Sequence, residues 1–594
     1  MPRGTAEEKP SPSGRSAARR AASASRAPAA AEPPVPDDLG SRVSAAVEDF
    51  VDLSLGIREA LPPSVDGLGL LGALARVVAR PRTVARKSAG LAVELARIGL
   101  GRVPVDYAPR DWRFANAAWS ESPVFRRLGQ SYLAWHEAMH ELVDEADLDW
   151  RTEARARFAM TLLTTAAAPS NFVLTNPDAL ERAFETGGAS LARGLRNIGR
   201  DLVENKGMPR SVDRSHFVVG VNQAATPGSV VYRDDVLELV QYDPTTPTVF
   251  ARASVVIPPQ INRFYVMDMA PGRSFVEHAV SQGIQTFMVS WRNPTREQGH
   301  WNLDTYLISL EAALEVVADI TGVADANVVG VCAGGITTAA YLGYLAAIGE
   351  RRVHSVSFAV TLLDFSQPTA LGMLSNPEIV GNAVAESSRG GVLDGHSLGN
   401  LFAALRPNEL VWNYWVANNL LGNDPPRFDI LAWNADTTRM PAALHADFLT
   451  VFLDDDLAKG KLHALGCPVD LAAVEIDSFV VAGATDHLTP WRSCYATTQL
   501  LGGSSEFVLC SSGHVQSLVN PAGNTKMSYL LGDEPGPDPD AWRAAATSHP
   551  GSWWERWVEW VSARSGPRRS APKRRGSRAH VPLDLAPGRY VLEP

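Results

Sequence analysis

The chain has 594 residues, 45% hydrophobic and 20% charged, with a formal net charge of -10 at pH 7. That length predicts a catalytic domain plus at least one further module. The composition is that of a globular protein, and the acidic balance argues against a nucleic-acid partner, whose phosphates need a basic face. The four cysteines, at 332, 467, 494 and 510, are too few for a disulfide framework and form no CxxC pair able to clasp zinc, which fits a reducing cytosol.

Residues 1–40 are Ala, Pro, Ser and Arg with almost no large apolar side chains, so they cannot offset the entropy of ordering and are predicted to be disordered. They lack the continuous apolar core of a secretory signal, so export is not expected. From 41 to 214 the pattern is helical, as in VSAAVEDFVDLSLGIREAL, LGLLGALARVVAR and AGLAVELARIGL, and predicts an all-helical N-terminal domain. The second and third of these segments carry Arg and Lys on the polar side, as a packed helix pair or a helix lying on a lipid-like surface would. Within this domain His136-Glu137-Ala138-Met139-His140 matches the HExxH pattern of zinc peptidases. No third ligand motif follows, and Tyr132, Trp135, Met139 and Leu142 read as a core stripe, so no metal is expected.

From Ser215 onward short β-branched segments (VVYR, ASVVIPP, TFMVSW, NVVGV, SVSFAVTLL, SFVVAG, EFVLC) alternate with helical ones, which predicts a mainly parallel, doubly wound sheet over 215–594. The rhythm breaks between about 364 and 449, where a long insertion has the character of a lid. The uncharged stretch Val328 to Ile348 is nominally long enough to span a bilayer but reads as strand, turn and buried helix, so no transmembrane segment is expected. The aromatic stretches Trp412 to Trp415 and Trp553 to Trp560 read as core or interface, and the basic tail ARSGPRRSAPKRRGSRAH as solvated.

Gly330-Val331-Cys332-Ala333-Gly334-Gly335 follows a strand and precedes a helix, the context of a nucleophile elbow with a thiol at its apex. An α/β-hydrolase fold with a lid insertion supplies the thiol's base and the base's orienting acid from the ends of later strands, in the order nucleophile, acid, histidine. Asp486 in SFVVAGATDHLTPW and His514 in EFVLCSSGHVQSLVNP stand where that order puts them. His487, next to the acid, is expected to face the other way and play a supporting role. The triad fits a hydrolase or thioesterase resembling dienelactone hydrolase as well as an acyltransferase. A zinc peptidase and a structural protein that needs no triad are further readings.

With these residues in view the chain resembles the polyhydroxyalkanoate synthases in VIPPQINRFYVMDMAPGRS, FMVSWRNPT, GVCAGG, LRPNELVWNYWVANNLLGNDPP, FDILAWNADTTRMP, DHLTPW, SSGHVQSLVNP, GSWWERWVEW and APGRYV. It is most similar to the single-subunit, class II group that takes medium-chain monomers. The resemblance implies that Cys332 carries the acyl chain, that His514 activates the thiol, and that Asp486 assists the base or deprotonates the incoming hydroxyl. By position, the oxyanion hole would use the backbone N–H groups of Ala333 and Ile261. The resemblance further implies an (R)-3-hydroxyacyl-CoA donor, a growing polyester chain, release of CoA without a cofactor, a homodimer, and a cytoplasmic location on polyester granules and among their associated proteins. A cysteine thioester is nearly isoenergetic with a CoA thioester, so transfer through Cys332 would conserve activation.

Overall fold

Short β-branched segments closed by turn chemistry become strands, and in the computed structural model, which describes residues 69–594 apart from 105, 106, 108–110 and 371, eleven of them share one sheet. The predicted disordered head and the first helical segment, 43–61, lie outside the described residues. In chain order the strands are β1 (Gly228–Arg233), β2 (Leu237–Tyr242), β3 (Ser254–Ile257), β4 (Thr286–Trp291), β5 (Ala326–Val331), β6 (Val353–Ala359), β7 (Asp477–Gly483), β8 (Ser505–Cys510), β9 (Ser528–Leu531), β10 (Thr547–Pro550) and β11 (Asp584–Leu585). Their spatial order is β10-β9-β8-β7-β6-β5-β3-β4-β2-β1-β11. β3 through β8 run parallel, and antiparallel strands flank them on both sides. This is the α/β-hydrolase arrangement the elbow predicts.

The parallel strands are apolar throughout because both faces are covered. Along β3, Val255 packs with Phe287, Val289 and Val328 on one side, while Val256 packs with Met288, Val329 and Val331 on the other. The period of two thus feeds two cores. β4 lies on one side of β3 and β5 on the other, and such a reversal opens a crevice at the carboxyl ends of the strands. The stretch from Val328 to Ile348 divides into the end of β5 and the helix Ala333–Ile348. Among the described residues no helix is long and apolar enough to cross a membrane.

Between β6 and β7 the insertion folds as helices Pro377–Gly390, Gly395–Leu405, Asp429–Asn434 and Ala442–Asp454, with π-helical turns at Asn408–Trp412 and Trp415–Leu420. The helices before the sheet brace it. The helix Ala189–Glu204 turns Ser190, Gly194, Asn197 and Asp201 inward, and Asn197 Nδ2 donates to Asn418 O at 2.8 Å. A Cβ at Gly194 would collide with the Asn419 carbonyl. Arg155 Nη1 donates to Met373 O at 3.1 Å, and Trp415 Nε1 to Asn171 O at 3.0 Å.

The two basic amphipathic helices differ from one another. Leu70–Val78 buries Ala73 and Val77 against Ala156 and Met160, as a packed helix does. Pro81–Gly99 buries Ile98 but leaves Val93 and Leu95 exposed, and its Lys87 is paired with Glu141 and Glu145. The basic tail is not merely solvated. Arg568–Ser570 pairs with Thr248–Phe250 as a small second sheet, Arg569 donates to Thr321 O at 2.7 Å, Arg575 pairs with Asp243, and Asp584–Leu585 then adds to β1. Charge composition concealed these partners because each lies hundreds of residues away in sequence.

Candidate active site

A side chain can project from a tight strand-to-helix turn only if the backbone on either side tolerates close approach. Cys332 sits at that turn with φ 50° and ψ -122°, a left-handed conformation strained for a non-glycine residue, between β5 and the helix Ala333–Ile348. Its N–H donates to Ala359 O at 3.0 Å, and its carbonyl accepts from the Gly335 N–H at 2.9 Å and from Thr361 Oγ1 at 3.2 Å. The neighbouring glycines serve close packing. A Cβ on Gly330 would stand 2.8 Å from Gly335 Cα, one on Gly334 would strike the carbonyls of Ile257 and Pro258, and one on Gly335 would strike Thr361.

Asp486 lies three residues past the end of β7 and His514 four past β8, and the structure brings both to Cys332. Asp486 Oδ2 meets His514 Nδ1 at 2.7 Å. Asp486 Oδ1 accepts the N–H groups of Leu488 at 2.8 Å and Thr489 at 2.9 Å. With Nδ1 engaged by the acid, His514 keeps its other ring nitrogen for the Cys332 thiol, which lines the same cavity. Burial alone would push Asp486 up and His514 down. The mutual charge and hydrogen bonds outweigh it, holding Asp486 below the usual carboxylate range and His514 well above the usual imidazole range. The other buried thiols are pushed up by burial, Cys510 to about 12, and all four cysteines are free.

Sequence reasoning did not find Thr489. Its hydroxyl donates to Asp486 Oδ2 at 2.6 Å and stands 3.1 Å from His514 Nδ1, so it fixes the carboxylate between backbone and ring. The available signal was the Asp-x-x-Thr spacing, which lets an aspartate cap the following turn. Also missed was the bracing of the short helix His514–Leu518 by Trp553 Nε1, which donates to Ser517 O at 2.7 Å, and Trp554 Nε1, which donates to Leu518 O at 3.2 Å. The buried tryptophans of 553–560 are therefore core, as expected, and positioning as well.

His487 does not turn away. It lines the same cavity as Cys332 and His514, and neither of its ring nitrogens has a hydrogen-bond partner among the described residues. Burial and then Arg406 lower its pKa. Ala333 opens the helix after the thiol, so its N–H is one of the first-turn amides without an intrahelical acceptor. Ile261 lines the cavity beside Cys332, and its N–H donates to no backbone carbonyl among the described residues. Its loop is held by Thr438, whose hydroxyl accepts the Asn262 N–H at 2.8 Å and donates to Gln260 O at 3.2 Å.

The cavity over the thiol has a volume of about 970 Å³, within the range of ligand sites. The insertion walls it with Phe402, Arg406, Tyr414 and Trp433. His136 and His140 lie elsewhere, in the helical region on Pro123–Asp144, with ring centroids 4.5 Å apart. Tyr132 and Leu142 are buried there as the core stripe predicted. Burial lowers both histidines, His136 to about 4, and among the described residues no group of three or more His, Cys, Asp or Glu is placed to hold a metal ion.

Two family models match the chain: the poly-beta-hydroxybutyrate polymerase N-terminus over residues 110–279 and the alpha/beta hydrolase fold over residues 255–521. The first runs past residue 214 into the strands, so this family region includes both helices and the start of the sheet. The chain is 44% identical over 522 residues to poly(3-hydroxyalkanoate) polymerase 1 of Ectopseudomonas oleovorans, covering 88% of this chain and 93% of that one. It is 45% identical over 514 residues to polymerase 2 of the same organism, covering 86% and 92%. With the poly(3-hydroxyalkanoate) polymerase subunit of Cupriavidus necator it shares 39% identity over 491 residues, covering 81% and 83%. Identity of this extent over nearly the full length of these relatives means that the chain belongs to the poly(3-hydroxyalkanoate) polymerase family.

Proposed function

We propose that the protein is an acyltransferase that polymerises (R)-3-hydroxyacyl groups from CoA thioesters into a polyester, with Cys332 as the covalent carrier. The observation that carries this reading is the thiol at a strained elbow facing His514, itself held at 2.7 Å by Asp486. In the first step the Cys332 sulfur attacks the thioester carbonyl, its proton passes to His514, and CoA leaves as a thiol after taking a proton back. The oxyanion formed on the carbonyl is stabilised by the N–H groups of Ala333 and Ile261. In elongation the 3-hydroxyl of an incoming hydroxyacyl-CoA attacks the acyl-Cys332 carbonyl. An ester forms, the thiol is freed, and the lengthened chain returns to Cys332 with loss of CoA. His514, oriented by Asp486, takes the hydroxyl proton, and His487 supports the groups in the cavity. CoA enters as substrate, so no cofactor is invoked.

Class II, medium-chain character, a homodimer, and residence in the cytoplasm on the surface of polyester granules with their associated proteins are finer parts of the same proposal, carried by the resemblance of the sequence segments alone. A cysteine hydrolase would use the same triad but pass the acyl group to water. Incubating the purified protein with 3-hydroxyacyl-CoAs and following both free CoA and the acyl product separates the two. CoA release matched by insoluble polyester is expected, and release matched by free 3-hydroxy acid would assign the hydrolase instead.

A further inference from the structure

A second, smaller cavity meets the thiol from the other side. Its volume is about 150 Å³, and it shares Cys332, Ile261, Phe402 and Leu488 with the large cavity while extending under the insertion. Its far walls are Val380, Leu398, Phe448, Leu449 and Phe452 from three insertion helices, with Ile336 and Phe365 as its floor. The polar groups in this wall are already engaged by the protein. Ser375 Oγ donates to Phe452 O at 3.1 Å, His445 Nδ1 lies 3.0 Å from Ser387 Oγ, and Thr489 is committed to Asp486. Burial lowers His445 to about 4, so its ring is neutral at physiological pH. Away from the thiol and the N–H groups beside it, the cavity therefore offers an entering group an almost wholly apolar wall and no charge. The large cavity, by contrast, carries His514, His487, Arg406, Asn520 and Asn524.

An acyl group on Cys332 needs both kinds of space, because its third carbon bears an oxygen, free in a first monomer and esterified in a growing chain, that must lead out through the polar cavity, and an alkyl branch that cannot hydrogen-bond. We infer that the small cavity is the pocket for the alkyl side chain of the monomer, and that Val380, Leu398, Leu449 and Phe452 set the longest side chain the enzyme accepts. This deepens the proposed function and rests on it. An apolar cavity of about this size, lined by Leu, Ile and Phe, admits a six-carbon ring. The pocket therefore suits side chains of roughly three to six carbons and rejects much longer ones.

The test is kcat/KM for CoA release from 3-hydroxyacyl-CoAs of increasing chain length. In the wild-type protein each added methylene should raise kcat/KM about three- to fourfold up to 3-hydroxyoctanoyl-CoA, with a fall by 3-hydroxydodecanoyl-CoA. Val380→Phe, which fills the pocket, should lower the octanoyl-to-butyryl ratio by at least tenfold while butyryl-CoA is still used. Leu449→Ala, which lengthens it, should raise the dodecanoyl-to-octanoyl ratio severalfold. A wild-type series with no break through dodecanoyl-CoA overturns the pocket even if neither variant folds, as do folded variants whose ratios match wild type. Absence of CoA release from every thioester would instead overturn the polymerase reading itself.

Discussion

Asp486 uses its two oxygens differently: Oδ1 is tied to the backbone of Leu488 and Thr489, and Oδ2 to the Thr489 hydroxyl and the His514 ring. Acylation needs only a thiolate and a good leaving group, whereas elongation must take a proton from a far less acidic hydroxyl. Asp486→Asn should therefore release close to one CoA per chain in a rapid-quench burst and then lose steady-state turnover by on the order of 10⁴-fold. Equal slowing of both phases would assign Asp486 to thiol activation alone. Thr489→Val should cost about 1 kcal/mol of orientation, or roughly fivefold in turnover, with Tm hardly changed. The ion pair also sets a pH window. Asp486, held low, contributes stability above about pH 4 that is lost as pH falls through its folded value. His514, held high, contributes stability below about pH 6.5 that is lost as pH rises through its raised value. Thermal melts from pH 6 to 10 should show that alkaline loss in wild type and a flatter profile in Asp486→Asn. Cys332, Asp486 and His514 were legible because each stands just past a strand in a fixed order. Thr489 was not, because its contact with His514 spans two elements and a threonine before proline reads as a turn.

Among the elements, helical periodicity located the helices before the sheet but not the face they bury. In Ala189–Glu204 the inward stripe is Ser190, Gly194, Asn197 and Asp201, while Leu195 and Leu202 are exposed. The choice is made by the carbonyls that the π-helical turns of the insertion leave facing it, which need donors and a close backbone rather than leucines. Gly194→Leu should overpack this contact, destabilising the protein by about 1–3 kcal/mol. CoA release should fall with it, because the same insertion walls the cavity over Cys332. A melt and a turnover rate both equal to wild type would show that the helix does not brace the insertion. In the sheet, the strands quoted from sequence were the β-branched ones. The outer strands β9, β10 and β11 carry Ser, Tyr, Pro and Asp, and only their neighbours' open edges make them strands.

At the scale of the molecule, helical region, insertion and sheet meet around one crevice, while the C-terminal segment from Arg568 to Leu585 forms a strap along the edge of the sheet. β11 joins the strap to β1, Arg575 holds it to Asp243 just past β2, and Arg569 holds it to Thr321 O at the end of the helix Leu303–Thr321, all far in sequence from the thiol. The α/β-hydrolase architecture was legible from the alternation of strands and helices, because each element reports its own period. The strap was not, since its arginines find partners only once the sheet exists. Residues 1–40 hold too little apolar surface to contribute to a core, so their deletion should leave turnover and Tm unchanged; a large loss of either would give them a role in the fold. The central claim is that the acyl group resides on Cys332. The most direct measurement is intact-protein and peptide mass analysis of Asp486→Asn after acid quench with a 3-hydroxyacyl-CoA. A mass increase of one acyl group on the peptide bearing Cys332, absent from Cys332→Ala, is the predicted result. Acylation of any other residue, or CoA release by Cys332→Ala at the wild-type rate, would contradict it.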